Sequence, residues 1–100
     1  MVKSYWVYIM SNKINTVIYI GITDNIQKRV WQHKNKIVEG FTKKYNIIKL
    51  VFFEEFSTPI EAIASEKKIK GWMRWKKVEL IQVKNPNWSD LSLEWDSSPA

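Results

Sequence analysis

Residues 5–23, with the sequence "YWVYIMSNKINTVIYIGIT", form the stretch that decides the fold. Two runs rich in β-branched and aromatic residues, 5–10 and 17–23, flank a polar segment at 11–15. Apolar runs of this length around a polar turn are typical of two antiparallel strands joined as a hairpin. The sequence therefore predicts a β-hairpin at the start of the chain.

Each strand of this hairpin carries a tyrosine. A two-residue turn at Lys13 and Ile14 would place Tyr8 directly opposite Tyr19, and a register shifted by two would make them diagonal neighbours. In both registers their hydroxyls share one face of the sheet. Such cross-strand aromatic pairs often serve stability alone. Gly21 follows on the same face, and a glycine inside a strand often marks close approach by a backbone or a ligand.

The segment after the hairpin predicts a helix and then a loop. Asp24 and Gln27 form a capping-box pattern, with Asp24 as the N-cap of a helix that reaches about residue 36. A loop around Gly40 is expected at 39–49.

The second half of the chain predicts a third strand and two helices. The strand covers 50–56. Thr58 and Glu61 form another capping box, and Pro59 takes the first helical position. A further helix is expected at 72–83.

Length and composition indicate one small globular domain. The chain has 100 residues, 45% of them hydrophobic, which suits a single core. We place the domain at residues 1–91 and expect a poorly ordered tail at 92–100. Trp88, Leu91 and Trp95 could pack back on the domain.

Several classes of protein and site are excluded by the composition. The absence of cysteine and the presence of a single histidine exclude a disulfide scaffold, a thiolate metal site and a zinc site with several imidazoles. No apolar run approaches the roughly 20 residues that span a bilayer. The first residues lack a signal-peptide pattern, so we expect a cytoplasmic location.

Positive charge is concentrated in two segments. The formal net charge is +6. Residues 28–49 contain seven basic residues and one acid, and residues 67–77 contain six basic residues and no acid. This segregation indicates a basic surface for polyanions such as nucleic acid. The alternative is a solvated surface that keeps the protein in solution.

The first helix brings two polar residues onto one face. Arg29 and His33 are four residues apart, so they lie one turn apart beside the apolar stripe. An arginine there offers a fixed fork of donors that suits a phosphate. The alternative is a surface arginine next to a partly buried histidine.

A carboxylate interrupts the apolar stripe of the second helix. Glu66 lies four residues after Ala62 and three before Ile69. A carboxylate on an apolar face needs a cation, a metal or a hydrogen-bond donor. The sequence leaves open a salt bridge to a lysine or to Arg29, and a ligand for a hard metal ion.

Taken together, these residues resemble the GIY-YIG nuclease superfamily, and most closely its small stand-alone bacterial subgroup of single-domain members. The segments "RVWQH", "LVFFEEF" and "EKKIKGWMRWKKVELI" are similar to that subgroup, and the resemblance extends over about residues 2–91. The ordered set that carries it is Tyr8, Tyr19, Gly21, Arg29, His33 and Glu66.

The resemblance implies an α+β fold, a three-stranded antiparallel sheet flanked by helices, and one metal-dependent site for phosphodiester cleavage. In that site Tyr8 or Tyr19 would take a proton from water, with a pKa lowered by a metal or by Arg29. Arg29 would bind the scissile phosphate, and His33 would orient a tyrosine or relay a proton. Glu66 would hold one Mg²⁺ or Mn²⁺.

We therefore expect a metal-dependent endonuclease that hydrolyses DNA in repair or processing, with nucleic acid as its partner and no membrane. Trp72 or Trp75 could stack on unpaired bases. The residues expected to contact nucleic acid are Gly21, Lys67, Lys68, Lys70, Arg74, Lys76 and Lys77.

The sequence departs from the superfamily pattern at two places. Trp6 stands where the motif name expects glycine, and Val78 stands where many of these nucleases carry an asparagine. Asn85 or Asn87 would need a different path to replace it. These departures keep open a second reading, a nucleic-acid-binding module that retains the fold without catalysis. A third reading is a subunit whose tail recruits a protein partner.

Overall fold

The computed structural model describes residues 3–96, except the side chain of residue 96. Three strands form one antiparallel sheet in the order β2-β1-β3. This confirms the predicted α+β architecture. The elements are β1 (Tyr5–Ser11), β2 (Ile18–Thr23), α1 (Ile26–Lys34), α2 (Phe41–Lys44), β3 (Lys49–Phe56), α3 (Pro59–Lys70), α4 (Arg74–Lys84) and α5 (Leu93–Asp96). Among these helices none is long and apolar enough to cross a membrane.

The hairpin register makes the two tyrosines diagonal neighbours. Tyr8 pairs with Gly21, and Met10 pairs with Tyr19. The two-residue turn considered for Lys13 and Ile14 is wrong, because the loop is wider. Its base is closed by the bond from the Asn12 backbone N–H to the Val17 carbonyl, 3.2 Å. The Asn12 carboxamide oxygen also accepts from the backbone N–H of Val17, 3.0 Å. This side chain therefore sets the register.

The central strand β1 divides the core into two clusters because its side chains alternate between the faces of the sheet. We call them the aliphatic face, covered by α3 and α4, and the tyrosine face, covered by α1. The buried residues of the aliphatic face are Val7, Ile9, Ile20, Val51, Phe52, Ala62, Ile69, Ile81 and Trp88. The buried apolar residues of the tyrosine face are Tyr8, Met10, Ile26, Val30, Ile47 and Leu50.

A β-bulge interrupts the pairing of β1 with β3. Ile9 pairs with Phe52, but Met10 pairs with Leu50, so Val51 is an extra residue without a partner on β1. The bulge explains why Val51 and Phe52, although adjacent, both contribute to the aliphatic face. Bulges of this kind bend a strand and redirect its side chains.

The segment after α4 covers the outer edge of β3. The Asn85 side-chain N–H₂ donates to the carbonyl of Val51, 3.1 Å. The Leu91 N–H donates to the Leu50 carbonyl, 2.8 Å, and the Leu50 N–H donates to the Asp90 carboxylate, 3.3 Å. The backbone groups that β3 turns away from β1 are thus hydrogen-bonded at this point.

The beginnings of the helices correct part of the sequence-based prediction. The N-cap of α1 is Asn25, not Asp24, because the Asn25 side chain accepts from the Lys28 N–H. Asp24 instead pairs with Lys3 at 3.3 Å. Thr58 caps α3 as predicted and accepts from the N–H of Glu61.

Two further segments differ from expectation. The loop expected at 39–49 contains the short helix α2 and the start of β3. The tail expected to be poorly ordered contains α5, and the Trp95 ring packs against Phe53 at 5.8 Å between centroids. Ser92 is buried. The boundary expected at residue 91 stays a prediction, and residues 97–100 of the tail lie outside the described part.

Candidate active site

Tyr8 lies at the centre of the site and defines the role of Gly21. The side chain of Tyr8 is buried and extends over Gly21 of the neighbouring strand. A Cβ added to Gly21 would lie 2.4 Å from both Cζ and the hydroxyl oxygen of Tyr8. The close approach inferred from Gly21 is therefore made by the ring of Tyr8. Because β2 is an edge strand, this ring points towards the free edge of the sheet.

A chain of hydrogen bonds fixes the Tyr8 hydroxyl. It lies 3.1 Å from Nε2 of His33, and Nδ1 of His33 lies 3.1 Å from the hydroxyl of Thr42. His33 and Thr42 are both buried. Tyr19 completes the group, with its ring centroid 6.2 Å from that of Tyr8 and 5.5 Å from that of His33. The structure thus brings three of the predicted site residues into direct contact.

Burial controls the acidity of Tyr8. It raises the pKa of Tyr8 well above the ordinary value of 10.0, and neighbouring Tyr19 and Glu66 act in the same direction, whereas Arg29 lowers it. Arg29 thus acts on the pKa of Tyr8 in the expected direction, but burial outweighs it. The Tyr8 hydroxyl keeps its proton at neutral pH and serves as a hydrogen-bonding group.

The imidazole of His33 is neutral at physiological pH. Burial lowers its pKa from 6.5 to about 4, and the positive charge of Arg29 adds to the effect. A neutral imidazole has one donor and one acceptor nitrogen, which matches its two hydroxyl partners, Tyr8 and Thr42. His33 therefore orients Tyr8 without carrying a charge into the site.

Glu66 is a mostly buried carboxylate of α3 that acts electrostatically on Tyr8. Its side chain is 15% exposed, and its carboxylate pairs with Lys70 at 3.1 Å, so the salt bridge considered from the sequence is present. Helix α3 packs on β1 and β2 from the aliphatic face. The Glu66 charge also raises the pKa of Tyr8, whose ring belongs to the opposite face of the sheet.

The residues fit a hard divalent cation better than zinc. Residues 3–96 contain no group of three or more histidine, cysteine or carboxylate side chains that could hold a metal. Zn²⁺ needs such a set, whereas Mg²⁺ often takes one or two carboxylates and keeps several waters. Glu66, a partly accessible carboxylate that already has a cationic partner, is the residue that would hold the ion.

Arg29 stands beside a small open cavity at the start of α1. The arginine is half-buried, and its charge acts on both Tyr8 and His33. The cavity has a volume of about 140 Å³ and is lined by Thr23, Asp24, Asn25, Lys28, Arg29 and Gln32. A guanidinium and an ammonium group at one opening form a suitable place for a phosphate.

Comparison with known proteins shows which family the chain belongs to. The family model described as the GIY-YIG catalytic domain matches residues 4–79, the part of the chain that holds the hairpin, α1 and α3. This chain belongs to the GIY-YIG family. The matched GIY-YIG domain ends within α4, so the segment that covers the β3 edge lies beyond it.

Relatives of this GIY-YIG protein are small proteins of similar length. It is 36% identical to a UPF0213 protein of Clostridium perfringens, covering 80% of this chain and 85% of that protein. It is 35% identical to a UPF0213 protein of Staphylococcus saprophyticus, covering 77% and 93%. The solution NMR structure of a UPF0213 protein from Bacillus halodurans matches with a TM-score of 0.57 and 25% identity, over 90% of this chain and 96% of that one.

The positions that depart from the GIY-YIG pattern have structural roles here. The Trp6 ring packs edge-on against Phe53, 5.9 Å between centroids. Val78 packs against the aliphatic face. Asn85 cannot replace the asparagine missing at position 78, because its buried side chain is bonded to the Val51 and Ser89 carbonyls and accepts from the Ser89 N–H.

The basic residues of α3 and α4 in this GIY-YIG domain lie on a mostly exposed surface. Trp72 is half-buried against the aliphatic face, with the ammonium groups of Lys68 and Lys76 at 5.9 and 4.5 Å from its ring. Arg74 donates to the carbonyl of Asn15 in the hairpin loop, 2.9 Å. Contact between these basic residues and nucleic acid stays a prediction. The residues are Lys67, Lys68, Lys70, Arg74, Lys76 and Lys77.

Sequence reasoning missed Thr42, which lies on a helix of only four residues. The signal that could have indicated the helix is Gly40, which precedes it with φ +104°. No pattern in the sequence indicates that Thr42 binds His33, because the contact depends on how α2 folds back onto α1.

Proposed function

We propose that this GIY-YIG protein is a metal-dependent endonuclease that hydrolyses DNA phosphodiester bonds in DNA repair or processing. The observation that carries the proposal is the fixed hydrogen-bond chain from Tyr8 through His33 to Thr42, with Tyr19 in contact with it and the charges of Arg29 and Glu66 acting on it. Buried titratable groups with strongly shifted pKa values cluster at functional sites. A cytoplasmic location stays a prediction.

The two tyrosines take different roles because their surroundings differ. Tyr8 is buried, bonded to His33 and has a raised pKa, so it positions the reacting groups and keeps its proton. Tyr19 is half-buried and more accessible to water. We assign the proton acceptor to the Tyr19 oxygen, which takes a proton from water as the new oxygen–phosphorus bond forms and the bond from phosphorus to the leaving oxygen breaks.

Arg29 and the cation held by Glu66 would stabilise the negative charge of the phosphate. Arg29 binds the non-bridging oxygens of the phosphate and stabilises the charge that develops on them. Glu66 holds Mg²⁺ or Mn²⁺, which when bound offsets negative charge on the phosphate and the leaving oxygen. Glu66 pairs with Lys70 at 3.1 Å, and a cation held by Glu66 would leave this lysine available for contact with DNA.

Single-turnover cleavage of DNA by purified variants tests the proposal. Supercoiled, branched and single-stranded DNA are incubated with Mg²⁺ or Mn²⁺. Glu66→Gln keeps the shape and removes the charge, so cleavage should fall by about two orders of magnitude or more while DNA affinity holds. Glu79→Gln is the matched control, because this exposed glutamate of α4 stands outside the site, and it should cleave as wild type does.

Two further variants separate binding from chemistry. Arg29→Ala should reduce both cleavage and DNA affinity, since the arginine contacts phosphate before and during the reaction. Tyr19→Phe should leave folding and affinity intact and lower the rate alone. Cleavage by Glu66→Gln at the wild-type rate would refute the assignment of the metal ligand, and the absence of any cleavage by wild type would refute the nuclease proposal.

A non-catalytic nucleic-acid-binding module is the second candidate. It is favoured by the apolar Val78 at the place of the family's asparagine and by the structural role of Asn85. In that case Lys67, Lys68 and Lys70 would still contribute to salt-dependent binding. The cleavage assay above distinguishes the two candidates directly.

A further inference from the structure

Two exposed aromatic rings form a pair next to Tyr19, one from Phe41 on α2 and one from Tyr45 at its C-cap. The rings of Phe41 and Tyr45 are 4.7 Å apart between centroids, and the Phe41 ring is 6.3 Å from that of Tyr19. Phe41 is 47% exposed and Tyr45 is 40% exposed. We call this pair the α2 platform. It is an aromatic surface open to solvent that continues from the candidate active site.

The α2 platform is held in a fixed position. Thr42 lies between Phe41 and Tyr45 in the sequence. Its side chain is buried and hydrogen-bonded to His33 at 3.1 Å. The next buried side chain, Ile47, belongs to the core of the tyrosine face, and the Ile47 N–H donates to the Thr42 carbonyl at 2.9 Å. The same hydrogen-bond chain that orients Tyr8 therefore orients the platform.

The charges around the α2 platform suit a nucleic-acid strand. The Lys44 ammonium lies 5.3 Å from the centre of the Tyr45 ring, and Lys43 on the same short helix pairs with Glu39 at 3.0 Å. Their segment, residues 28–49, has seven basic residues and one acid, Glu39. Aromatic rings beside basic groups are the combination by which proteins bind unpaired nucleotides, the rings stacking on bases and the cations contacting phosphates.

We propose that the α2 platform stacks on an unpaired base next to the phosphate bound at Arg29 and Tyr19, so that the preferred substrate is single-stranded DNA or a strand with unpaired nucleotides. Bases inside a duplex are already stacked on their neighbours, so they offer no free face to Phe41. The inference rests on the proposed function for the position of the phosphate. It goes beyond it by naming the substrate class and the residues that select it.

Trp75 offers the rival surface on the other side of the molecule. Its side chain is 63% exposed, and it lies between Arg74 and Lys76 on α4. A stacking role for this tryptophan was one of the expectations from the sequence. It lacks an observed contact with the site residues among the described rings, and it therefore serves as the control.

Binding of fluorescent oligonucleotides without divalent metal tests the α2 platform independently of cleavage. Wild type, Phe41→Leu, Phe41→Trp and Trp75→Leu are titrated with a single strand and with its duplex. Phe41→Leu should lose about tenfold in affinity for the single strand and little for the duplex. Phe41→Trp should retain the preference, and Trp75→Leu should behave as wild type.

A stacking-sensitive base provides a second readout. Fluorescence of 2-aminopurine in the single strand should be quenched by wild type and by Phe41→Trp, and this quenching should be weak with Phe41→Leu. If Phe41→Leu unfolds in a thermal melt, Tyr45→Leu takes its place in both measurements. Equal loss of single-strand and duplex affinity, unchanged quenching, or a preference that depends on Trp75 would overturn the inference.

The outcomes also separate this inference from the nuclease proposal. If the protein prefers the single strand through Phe41 but cleaves no DNA with Mg²⁺ or Mn²⁺, the α2 platform is supported and the nuclease proposal fails. If the protein cleaves duplex and single strand at equal rates, and Phe41→Leu does not change these rates, the nuclease proposal is supported and the α2 platform fails.

Discussion

The two faces of the sheet are built from one central strand and differ in chemistry. The core of the aliphatic face is formed by apolar side chains, whereas the tyrosine face also buries the Tyr8 hydroxyl, His33 and Thr42. Each of those polar groups is hydrogen-bonded to the next, and within residues 3–96 no buried side-chain nitrogen or oxygen lacks a partner. A strand that alternates its side chains thus places the Tyr8, His33 and Thr42 group on one face and the larger apolar cluster on the other.

Truncation on the aliphatic face gives the largest expected loss of stability. Ile81 is completely buried there. Ile81→Ala should lower the free energy of unfolding by about 2–5 kcal/mol, because it removes apolar contacts and leaves a cavity. Val83→Ala is the control, since this residue of the same helix is 75% exposed and its change should be within about 0.5 kcal/mol.

Urea unfolding followed by circular dichroism measures both variants. The comparison of the faces predicts that single-turnover cleavage by folded Ile81→Ala equals that of wild type. Loss of activity without loss of stability would contradict the division of roles.

Gly21→Ala is expected to disturb the tyrosine face. The added Cβ would lie 2.4 Å from Cζ of Tyr8, so the buried ring must move, at about 1–3 kcal/mol of stability. Gly71→Ala is the matched control, because the nearest atoms to its Cβ are at 3.6 Å and its φ is −77°. Thermal unfolding should show a lower midpoint for Gly21→Ala and an equal or higher one for Gly71→Ala.

Displacement of the Tyr8 ring should also move its hydroxyl away from His33, so cleavage by folded Gly21→Ala should fall. An alanine at position 21 that leaves both the midpoint and the rate unchanged would show that Tyr8 does not need the space above the glycine.

Acidification gives the smallest expected loss of stability. The loss comes from protonation of His33, which is buried on the tyrosine face. His33 has a pKa of about 4 in the folded protein and an ordinary value of 6.5 when unfolded. The unfolded chain therefore binds the extra proton first, and stability is lost as the pH falls through 6.5 towards 4. Between pH 7 and pH 5.5 the loss should be about 1 kcal/mol.

His33→Gln should remove this pH dependence while lowering stability at pH 7. Urea unfolding at the two pH values checks it. An equal dependence on pH in His33→Gln and wild type would show that His33 is not the titrating group.

The sequence predicted the fold well because local patterns and the fold agree. The polar turn, the alternating strands and the Thr58 cap are encoded within a few residues of one another, and the structure has all three. The boundaries were less secure. The cap of α1 is Asn25 and not Asp24. Asparagine and aspartate are about equally good N-caps, so the sequence alone could not choose between these two neighbours.

Of the candidate site residues, the structure brings Tyr8, Tyr19 and His33 into contact, and the catalytic role of the set stays a prediction. Resemblance to the family named Tyr8, Tyr19, Arg29, His33 and Glu66. It could not give the raised pKa of Tyr8, because burial depends on how the helices pack over the sheet. It could not give Thr42 either, since the contact with His33 joins residues nine positions apart through a helix that follows a glycine.

The extra residue in β3 has a consequence for the behaviour of this protein in concentrated solution. An open sheet has two unprotected margins, and each is a template on which another copy can add a strand. Here the Val51 and Leu50 carbonyls are already occupied by Asn85 and Leu91. The segment that follows α4 therefore blocks the addition of another copy's strand along this part of β3.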